Sequence, residues 1–580
     1  MRSSTRRQHP KTAAGGVTRA LLTFGAASAL VVGGLPLIAS AAAAHPSDDT
    51  KPDLVENLAG FSELWKSSGV NDLHGEVLNA DALKHNDEMT SWINQNASAD
   101  QQFRALQNAQ YDNDGKSYDQ SVSIADGLGK RLGAIYVQGR QHGELPLTSA
   151  LINSENGTTG AYVGTGAAKT HFSYPRPFLS VDPAAQSVAG DDAECSPALV
   201  NGSSLTGIRT KGIGPIDENG NLKITRVPVT TDTTHQFSDN DVVLNPGYGQ
   251  KGICTGGAFP SGHTTTAYQA GLTLATLLPE LAPEMLARTS EAGNNRIVLG
   301  VHYPLDIMGG RMNGEAALAS RWADDDFRTK VLEPARAELV AYLEKGCGAA
   351  LDTCIKNDTA YSNTPYAGKQ IPGGTAQQVT DRTSAVAVYK ERMTYGFAKV
   401  GKSGQAASVP AKAESLLRTT FPDLTDDQRR AVLAQTEIES GYPLDTTATT
   451  KDGDADASWQ RLNLAAAMSA KVQVNLDQTV SVLSTGTTAE VVKEAPVVTP
   501  PDDNGNTGDT GDENTAPAND SKDQQPAEQE QNTATNQAAG ESGKLARTGE
   551  EFAPLWIGAA LLALGATTLV LRRRVSGHQR

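Results

Sequence analysis

Apolar residues between positions 50 and 345 recur mostly every three or four residues, a spacing typical of amphipathic helices. The pattern predicts helices over residues 91–106, 123–137, 264–278, 283–292 and 304–322. Proline opens the last two, and the first helical position tolerates proline because its N–H has no intrahelical partner. No apolar run in this region reaches the thickness of a bilayer. The sequence therefore predicts a mainly α, water-soluble helical bundle.

The pattern changes in residues 178–258, which we interpret as an irregular, partly β insert in the helical region. An Asn-Gly-Asn sequence at 219–221 stands between two short apolar runs and predicts a hairpin turn. Cys195 and Cys254 lie near the two ends of the insert, and a disulfide between them would hold these ends together. Two interpretations stay open: a lid or rim that shapes access to a site, and a surface insert without a role in it.

Residues 346–490 show weaker helical periodicity, which predicts a mostly helical C-terminal extension. Near its start, Cys347 and Cys354 are close enough in sequence to close a small loop. Residues 389–395 are a mixture of polar and aromatic residues. We interpret them as packing and surface residues, in preference to a part of the functional site.

The first 44 residues have the three parts of a secretory signal peptide: a basic start, an apolar run and a small-residue cleavage region. A transmembrane anchor is the alternative. The chain has four cysteines and no Cys-x-x-Cys pair, which disfavours a zinc ribbon or a thioredoxin-type site. In an exported protein, two structural disulfides are the preferred interpretation.

Residues 491–544 are acidic and rich in Pro, Asn, Thr, Gly and Gln, with almost no large apolar side chains. Such a segment cannot bury enough surface to offset its ordering entropy, so we expect a disordered linker. The formal net charge of -16 argues against nucleic acid as a partner. It leaves room for a local basic pocket that binds a small anion.

The C-terminal residues 545–580 begin with Leu545-Ala546-Arg547-Thr548-Gly549, continue with an apolar run over 553–571 and end in a basic tail. The run is long enough to cross a bilayer, and the basic tail would stay inside. This order resembles a Gram-positive cell-wall sorting signal of the LPxTG class, in its LAxTG variant with Ala546 in place of the commoner proline. The resemblance implies cleavage by a sortase, attachment of Thr548 to peptidoglycan and a linker that spans the wall. A plain C-terminal membrane anchor is the alternative.

Two clusters of residues suit the binding of an oxyanion. Lys169 and Arg176 frame a short segment and supply a point charge and a planar fork for phosphate oxygens. Ser261 and Gly262 open a predicted helix, where unpaired N–H groups favour an anion. His263 beside them can transfer a proton near neutral pH. The alternative for Ser261 is an ordinary N-cap.

A third cluster combines a cation, a histidine and a carboxylate: Arg296, His302 and Asp306. Pro304 predicts that a helix begins just after the histidine, which places Asp306 in the first turn and within reach of the imidazole. A carboxylate on one ring nitrogen fixes the tautomer and leaves the other nitrogen free to attack.

Together, Lys-x6-Arg-Pro, Pro-Ser-Gly-His and Arg-x5-His-x3-Asp resemble the motifs of the type 2 phosphatidic acid phosphatase (PAP2) superfamily. This superfamily includes bacterial non-specific acid phosphatases, lipid phosphatases and vanadium haloperoxidases. The resemblance covers residues 169–306 and implies a helical-bundle domain over 50–345, with its core at about 90–325. Asn295 departs from the serine that usually precedes the arginine of the third motif.

The resemblance also implies a role for each residue. His302 would attack phosphorus and form a phosphohistidine, Asp306 would orient it, and His263 would protonate the leaving group. The phosphate oxygens would be held by Lys169, Arg176, Ser261, Gly262 and Arg296. We therefore expect a secreted, wall-anchored acid phosphatase that hydrolyses small phosphate esters without a metal or other cofactor.

Three alternatives stay open beside this interpretation. A vanadium-dependent haloperoxidase would hold vanadate as cofactor in the same pocket, with His302 as its axial ligand. A metal site formed by His263, His302 and Asp306 is disfavoured because the surrounding cations repel a metal ion. A wall-anchored binding or adhesion protein with an inactive core is the alternative from another class.

Overall fold

The computed structural model of the protein describes residues 45–111, 119–152, 162–446 and 457–495. The predicted signal peptide (1–44), the sorting signal (545–580) and residues 496–544 of the predicted linker lie outside the described residues. All of the described ranges fall in one of the two compact units into which the chain divides.

The fold is mainly α in the described residues, which confirms the predicted fold class. The α-helices are α1 (Pro46–Asp49), α2 (Leu54–Asn57), α3 (Ala80–Asn96), α4 (Ala99–Gln110), α5 (Lys130–Gln141), α6 (Pro146–Ile152), α7 (Gly166–Phe172), α8 (Lys251–Cys254), α9 (Gly262–Leu277), α10 (Ala282–Val298), α11 (Pro304–Trp322), α12 (Asp325–Phe327), α13 (Glu333–Cys347), α14 (Leu351–Lys356), α15 (Arg382–Thr394), α16 (Asp426–Thr436) and α17 (Leu464–Ala467). A π-helical turn at Arg328–Leu332 precedes α13. Short 3-10 turns lie at Ala59–Glu63, Ala125–Leu128, Ala193–Cys195, Ser203–Leu205, Pro279–Leu281, Ala413–Leu417 and Trp459–Arg461. In this part of the chain no helix is both long and apolar enough to span a membrane.

The strands in the same described ranges are short: β1 (Trp65–Ser67), β2 (Gly75–Val77), β3 (Thr230–Asp232), β4 (Val242–Leu244), β5 (Ile371–Gly373), β6 (Lys471–Val474), β7 (Val480–Ser484) and β8 (Glu490–Lys493). All of these except β5 belong to three small sheets. β1 pairs with β2, and β3 with β4, both antiparallel. β6 is central in the third sheet, antiparallel to β7 and parallel to β8.

Three buried helices, α9, α10 and α11, form the centre of the bundle, and nearly every residue in them is buried. Glycine allows α11 to approach the start of α9 closely. A Cβ atom on Gly310 would lie 2.7 Å from Cβ of Thr264 and 2.8 Å from the carbonyl oxygen of Ser261. Because α9 begins with the second cluster and the first turn of α11 contains Asp306 of the third, this close packing brings the two clusters together.

The structure confirms the predicted starts of α9 and α11 but divides two other predicted helices. The predicted helix over 91–106 is split between α3 and α4, because Ser98 caps a new helix by accepting from the N–H of Gln101. The prediction over 123–137 is interrupted at Gly129, whose φ of 103° ends the 3-10 turn before α5 begins.

The insert over 178–258 is irregular, with β3 and β4 as its hairpin and α8 at its end. The predicted turn at 219–221 is present, since Ile216 and Leu222 form a bridge around it and Gly220 has a φ of 92°. Cys195 is bonded to Cys254. The second pair, Cys347 and Cys354, closes a loop between α13 and α14.

The extension over 346–490 packs into the same hydrophobic core as the central helices, through side chains such as Leu433 and Leu464. It also contains the sheet of β6, β7 and β8, which the prediction of a mostly helical segment missed. β8 extends to residue 493, so residues 491–493, which we assigned to the disordered linker, form part of a strand. These strands are too short for the alternation of apolar and polar residues to be recognised in the sequence, although Val472 in the central strand is fully buried.

Candidate active site

The three predicted clusters meet where α7, α9, α10 and α11 converge. Lys169 lies in the last turn of α7, which ends at Ser173 in a left-handed conformation, and Arg176 follows in the extended segment. Arg296 lies in the last turn of α10, and His302 stands two residues before α11. The structure therefore brings together groups that are far apart in sequence.

His302 is held by the first turn of α11. Its Nδ1 atom lies 2.9 Å from Oδ2 of Asp306, and the backbone N–H of Tyr303 donates to the same oxygen at 2.8 Å. Both His302 and Asp306 are fully buried. The carboxylate thus accepts from the imidazole and fixes its orientation, as predicted from Pro304 and the four-residue spacing.

The other ring nitrogen of His302 faces the guanidinium of Arg176. Nη1 of Arg176 lies 2.8 Å from Nε2 of His302 and 3.1 Å from the carbonyl oxygen of Val301. Because a guanidinium only donates, Nε2 must accept and carries a lone pair. The two contacts together define a neutral imidazole with its proton on Nδ1.

Burial and the surrounding cations together determine the protonation state of His302. Burial and the positive charges of Arg176, Lys169 and Arg296 hold the pKa of His302 well below its usual range. Burial raises the pKa of Asp306, an effect opposed by the N–H of Tyr303 and the nearby cations. Nε2 of His302 is therefore available as a nucleophile in mildly acid solution.

Arg296 is the most unusual group in this region. It is 2% exposed, and none of its three guanidinium nitrogens has a hydrogen-bond partner among the described residues. Burial and the neighbouring charge of Arg176 lower its pKa well below the ordinary value. A buried guanidinium without an acceptor is costly, so the pocket favours a bound anion that supplies acceptor oxygens.

Lys169 and Arg176 are oriented by backbone carbonyls. Nζ of Lys169 donates to the carbonyl oxygen of Gly257 at 2.6 Å, and Nε of Arg176 donates to that of Gly256 at 3.0 Å. The sequence analysis did not identify these two glycines as part of the site. The sequence does contain a Gly-Gly pair shortly before the second motif. A backbone carbonyl can accept a hydrogen bond in any residue type, however, so the pair did not indicate a contact with the cations.

The residues of the second motif lie at the start of α9. Ser261 is the N-cap, and its Oγ accepts from the N–H of Thr264 at 3.3 Å, as in the alternative given above. Its own N–H donates to the carbonyl oxygen of Asp306 at 3.0 Å, which ties α9 to α11. Gly262 begins the helix, so its N–H belongs to the first turn, where N–H groups lack intrahelical acceptors.

His263 is buried in the first turn of α9, next to the other clusters. Its Nε2 lies 3.5 Å from the carbonyl oxygen of Ala109, and its own carbonyl accepts from Gln120 at 3.0 Å. Its charge is among the causes that lower the pKa of His302, and the bond from Ser261 to Asp306 holds the start of α9 beside the first turn of α11. The arrangement can therefore combine a nucleophile, a proton donor and an anion pocket in one place.

The cationic side chains around His302 give the site the character of an anion pocket. Within the described ranges, no group of three His, Cys, Asp or Glu side chains is arranged to hold a metal ion. The side chains around His302 are instead cationic. The same charges suit phosphate and a phosphate-shaped anion such as vanadate.

Comparison with known proteins supports the superfamily that the three motifs indicate. Residues 155–329 match the PAP2 superfamily, and this range contains all three clusters. The chain is similar to an acid phosphatase of Zymomonas mobilis subsp. mobilis, 36% identical over 103 residues, which is 18% of this chain and 39% of the relative. It is also similar to a non-specific acid phosphatase of Providencia stuartii, 30% identical over 89 residues, which is 15% of this chain and 36% of the relative. A non-specific acid phosphatase of Salmonella typhi is 35% identical over 83 residues, which is 14% of this chain and 33% of that relative. The chain thus spans less than two fifths of the length of each of these relatives.

The departure at Asn295 lies outside the pocket. Its Nδ2 donates to Oδ1 of Asn108 at 2.8 Å, and its Oδ1 accepts from Nε2 of Gln101. Asn295 thus joins α10 to α4 in a buried polar network. A serine at this position would lose at least one of these bonds.

Proposed function

We propose that the protein is a phosphatase that hydrolyses phosphomonoesters through a phosphohistidine at His302. The observation that carries the proposal is that one site holds both a neutral, oriented histidine and the buried guanidinium of Arg296, which has no hydrogen-bond partner among the described residues. The first supplies a nucleophile, and the second favours an anion in front of it. The acid phosphatase relatives support the same reaction class.

In the first step, the phosphoryl oxygens of the ester bind to Arg296, Lys169 and Arg176, with further donors from the start of α9. Arg176 transfers its hydrogen bond from Nε2 of His302 to a phosphoryl oxygen. Nε2 then attacks phosphorus while the bond to the ester oxygen breaks, and protonated His263 donates a proton to the leaving oxygen. The products are an alcohol and phosphohistidine.

In the second step, neutral His263 takes a proton from water, and the oxygen of that water attacks phosphorus. The bond from phosphorus to Nε2 breaks, inorganic phosphate leaves, and His302 is restored. Fixed cations stabilise the charge that spreads over the equatorial oxygens in both steps. Positioning and electrostatic stabilisation supply most of the rate enhancement in reactions of this class.

We further propose that the protein is exported and attached to peptidoglycan by a sortase, which would place the reaction outside the membrane and favour small soluble esters. This rests on the sequence of residues 1–44 and 545–580. Thr548→Ala tests it in intact cells. The protein should be released from wild-type walls by muramidase, and the variant should stay with the membrane. Equal release of both forms would contradict wall attachment.

The reaction is tested by assaying the purified chain against a chromogenic phosphomonoester, with and without a strong chelator. We expect phosphate release that survives chelation. In parallel, halide oxidation is measured with added vanadate and peroxide. Halide oxidation without phosphate release would instead identify a haloperoxidase, and neither activity would favour a binding protein.

A further inference from the structure

The end of the insert runs beside the first motif. In addition to the bonds from Lys169 to Gly257 and from Arg176 to Gly256, the N–H of Ala258 donates to the carbonyl oxygen of Tyr174 at 2.7 Å. Three successive residues of the insert therefore contact the segment that carries both cations. The direction in which those cations point depends on where these carbonyls lie.

Glycine makes this close contact feasible but does not stabilise it. A Cβ atom on Gly257 would lie 2.9 Å from the carbonyl oxygen of Lys169. Two consecutive glycines also have no side chains to pack, and glycine loses more backbone freedom on folding than any other residue. The carbonyls of Gly256 and Gly257 therefore need a restraint from a neighbouring residue.

The disulfide supplies a restraint two residues away. Cys254 is fully buried and is bonded to Cys195, with 5.5 Å between their Cα atoms. The two cysteines pack in a small hydrophobic cluster with Leu73 and Leu179. The N–H of Leu73 donates to Oγ of Ser173 at 2.8 Å, so the same cluster supports the end of α7.

We propose that the Cys195–Cys254 disulfide is a positioning element of the phosphate pocket, which holds Lys169 and Arg176 through the carbonyls of Gly257 and Gly256. The cross-link joins residues 59 positions apart, and it restricts a segment that glycine leaves free. This inference rests on the proposed function for the identity of the bound anion. It assigns to the insert a role in binding, beyond a rim or lid.

The insert has other attachments, so loss of the disulfide is not expected to unfold the chain. The N–H of Asp192 donates to the carbonyl oxygen of Gly249, and its Oδ2 accepts from the N–H of Lys251, both at 2.8 Å. These bonds keep the two ends of the insert near each other. The disulfide can therefore be removed to test its effect on the pocket.

Inorganic phosphate is the probe, and its dissociation constant is measured by calorimetry on the full chain. The variant Cys195→Ala/Cys254→Ala should bind phosphate at least about tenfold more weakly, the scale found when supporting contacts of a site are lost. The matched control, Cys347→Ala/Cys354→Ala, lacks a disulfide that lies between α13 and α14 and should stay within about twofold of wild type. Equal phosphate affinity in a folded Cys195→Ala/Cys254→Ala variant overturns the proposal.

A double-mutant cycle with Arg176→Ala separates positioning from a general structural effect. If the disulfide acts through Arg176, its removal should weaken phosphate binding less in the Arg176→Ala background than in wild type. Fully additive losses overturn the proposal. Because the readout is binding, a chain that binds phosphate but hydrolyses no ester would refute the proposed function and leave this inference intact.

Reduction provides a second approach if the Cys195→Ala/Cys254→Ala variant does not fold. The sequence has four cysteines, so Cys195–Cys254 is the only disulfide left in the control variant. Dithiothreitol gives it two electrons and two protons and becomes a cyclic disulfide itself. Phosphate affinity should fall in parallel with the appearance of two free thiols. Unchanged affinity with both thiols free overturns the proposal.

Discussion

Nη1 of Arg176 lies 2.8 Å from Nε2 of His302, the atom that attacks phosphorus in the proposed mechanism. One arginine therefore occupies the nucleophilic lone pair and is also placed to bind a phosphoryl oxygen. The contact disfavours protonation of Nε2, because a second proton there would face a guanidinium. Binding of the phosphoryl group exchanges this hydrogen bond for one to an oxygen and releases the lone pair.

Removal of Arg176 should therefore change both the rate and its pH dependence. Arg176→Ala should lower kcat by about 10²–10³, the usual effect of losing one donor to a developing charge. Activity requires neutral His302, whose pKa is held well below 6.5 by burial and by Arg176 among other cations. We expect the acid-side decline of wild-type kcat/KM to lie below pH 6.5 and to move to higher pH in the variant. If the acid-side decline stays at the same pH or moves to lower pH, Arg176 does not lower the pKa of His302 as we infer.

The control for this profile is Arg226→Ala. Arg226 is a partly exposed arginine of the insert, and its guanidinium pairs with the carboxylate of Asp191 at 2.8 Å. Its removal should change kcat less than about twofold and leave the pH profile unchanged.

We expect Arg296 to lower the free energy of unfolding of the ligand-free protein and to contribute to the binding of phosphate. Replacement by methionine removes a buried cation without hydrogen-bond partners in the described structure, so Arg296→Met should raise the free energy of unfolding by about 1 kcal/mol or more. Urea unfolding measures this change. The same variant should lose most of the stabilisation that phosphate gives wild type, about 2.7 kcal/mol at a hundred times Kd. A less stable variant that still responds fully to phosphate would refute the assignment.

The buried ion pair of Arg311 and Glu315 should stabilise α11 where it contacts the extension. Nη1 of Arg311 pairs with Glu315 at 2.9 Å, and Nη2 donates to the carbonyl oxygen of Gln460 at 2.7 Å. Tyr389 of α15 donates to Glu315 at 3.0 Å. Arg311→Ala should lower the free energy of unfolding by about 3–5 kcal/mol, because it leaves the buried carboxylate of Glu315 without its cation.

The double variant Arg311→Met/Glu315→Met removes both charges and is the control for that experiment. It should recover much of the lost stability in urea unfolding, since no buried charge is left without a partner. If it is as unstable as Arg311→Ala, packing and not charge accounts for the effect.

The sequence was informative wherever a local feature determines the structure. Pro304 and the position of Asp306 were sufficient to predict the start of α11 and the contact with His302. Ser261 as the N-cap of α9 follows from the same kind of local rule. These features depend on a few neighbouring residues, so a single sequence contains them.

Features that depend on contacts between distant segments could not be predicted. The carbonyl of Gly256 meets Arg176 only after the insert has folded back on α7, and backbone acceptors have no residue preference. The sheet of β6, β7 and β8 pairs strands of four or five residues, one of them in parallel, and their apolar pattern is too short to distinguish from a helix.

His302 should be essential, and its loss should be more severe than that of any single cation. His302→Ala should lower kcat by more than the 10²–10³ expected for Arg176→Ala, because no other described group is oriented as a nucleophile at this position. The matched control is His171→Ala, a histidine of the first motif with an exposed side chain. It should retain turnover within about twofold. Near-normal turnover by purified His302→Ala would exclude this residue as the nucleophile.

The most direct measurement is the trapping of the phosphorylated enzyme during the first turnover. Wild type and His263→Ala are mixed with a phosphomonoester, quenched in alkali, in which phosphohistidine survives, and digested for mass spectrometry. The account predicts phosphate on the peptide that contains His302, with greater accumulation in His263→Ala, where hydrolysis of the intermediate lacks its base. Phosphate on Ser261 instead, or turnover by both proteins with no phosphorylated peptide, would contradict it.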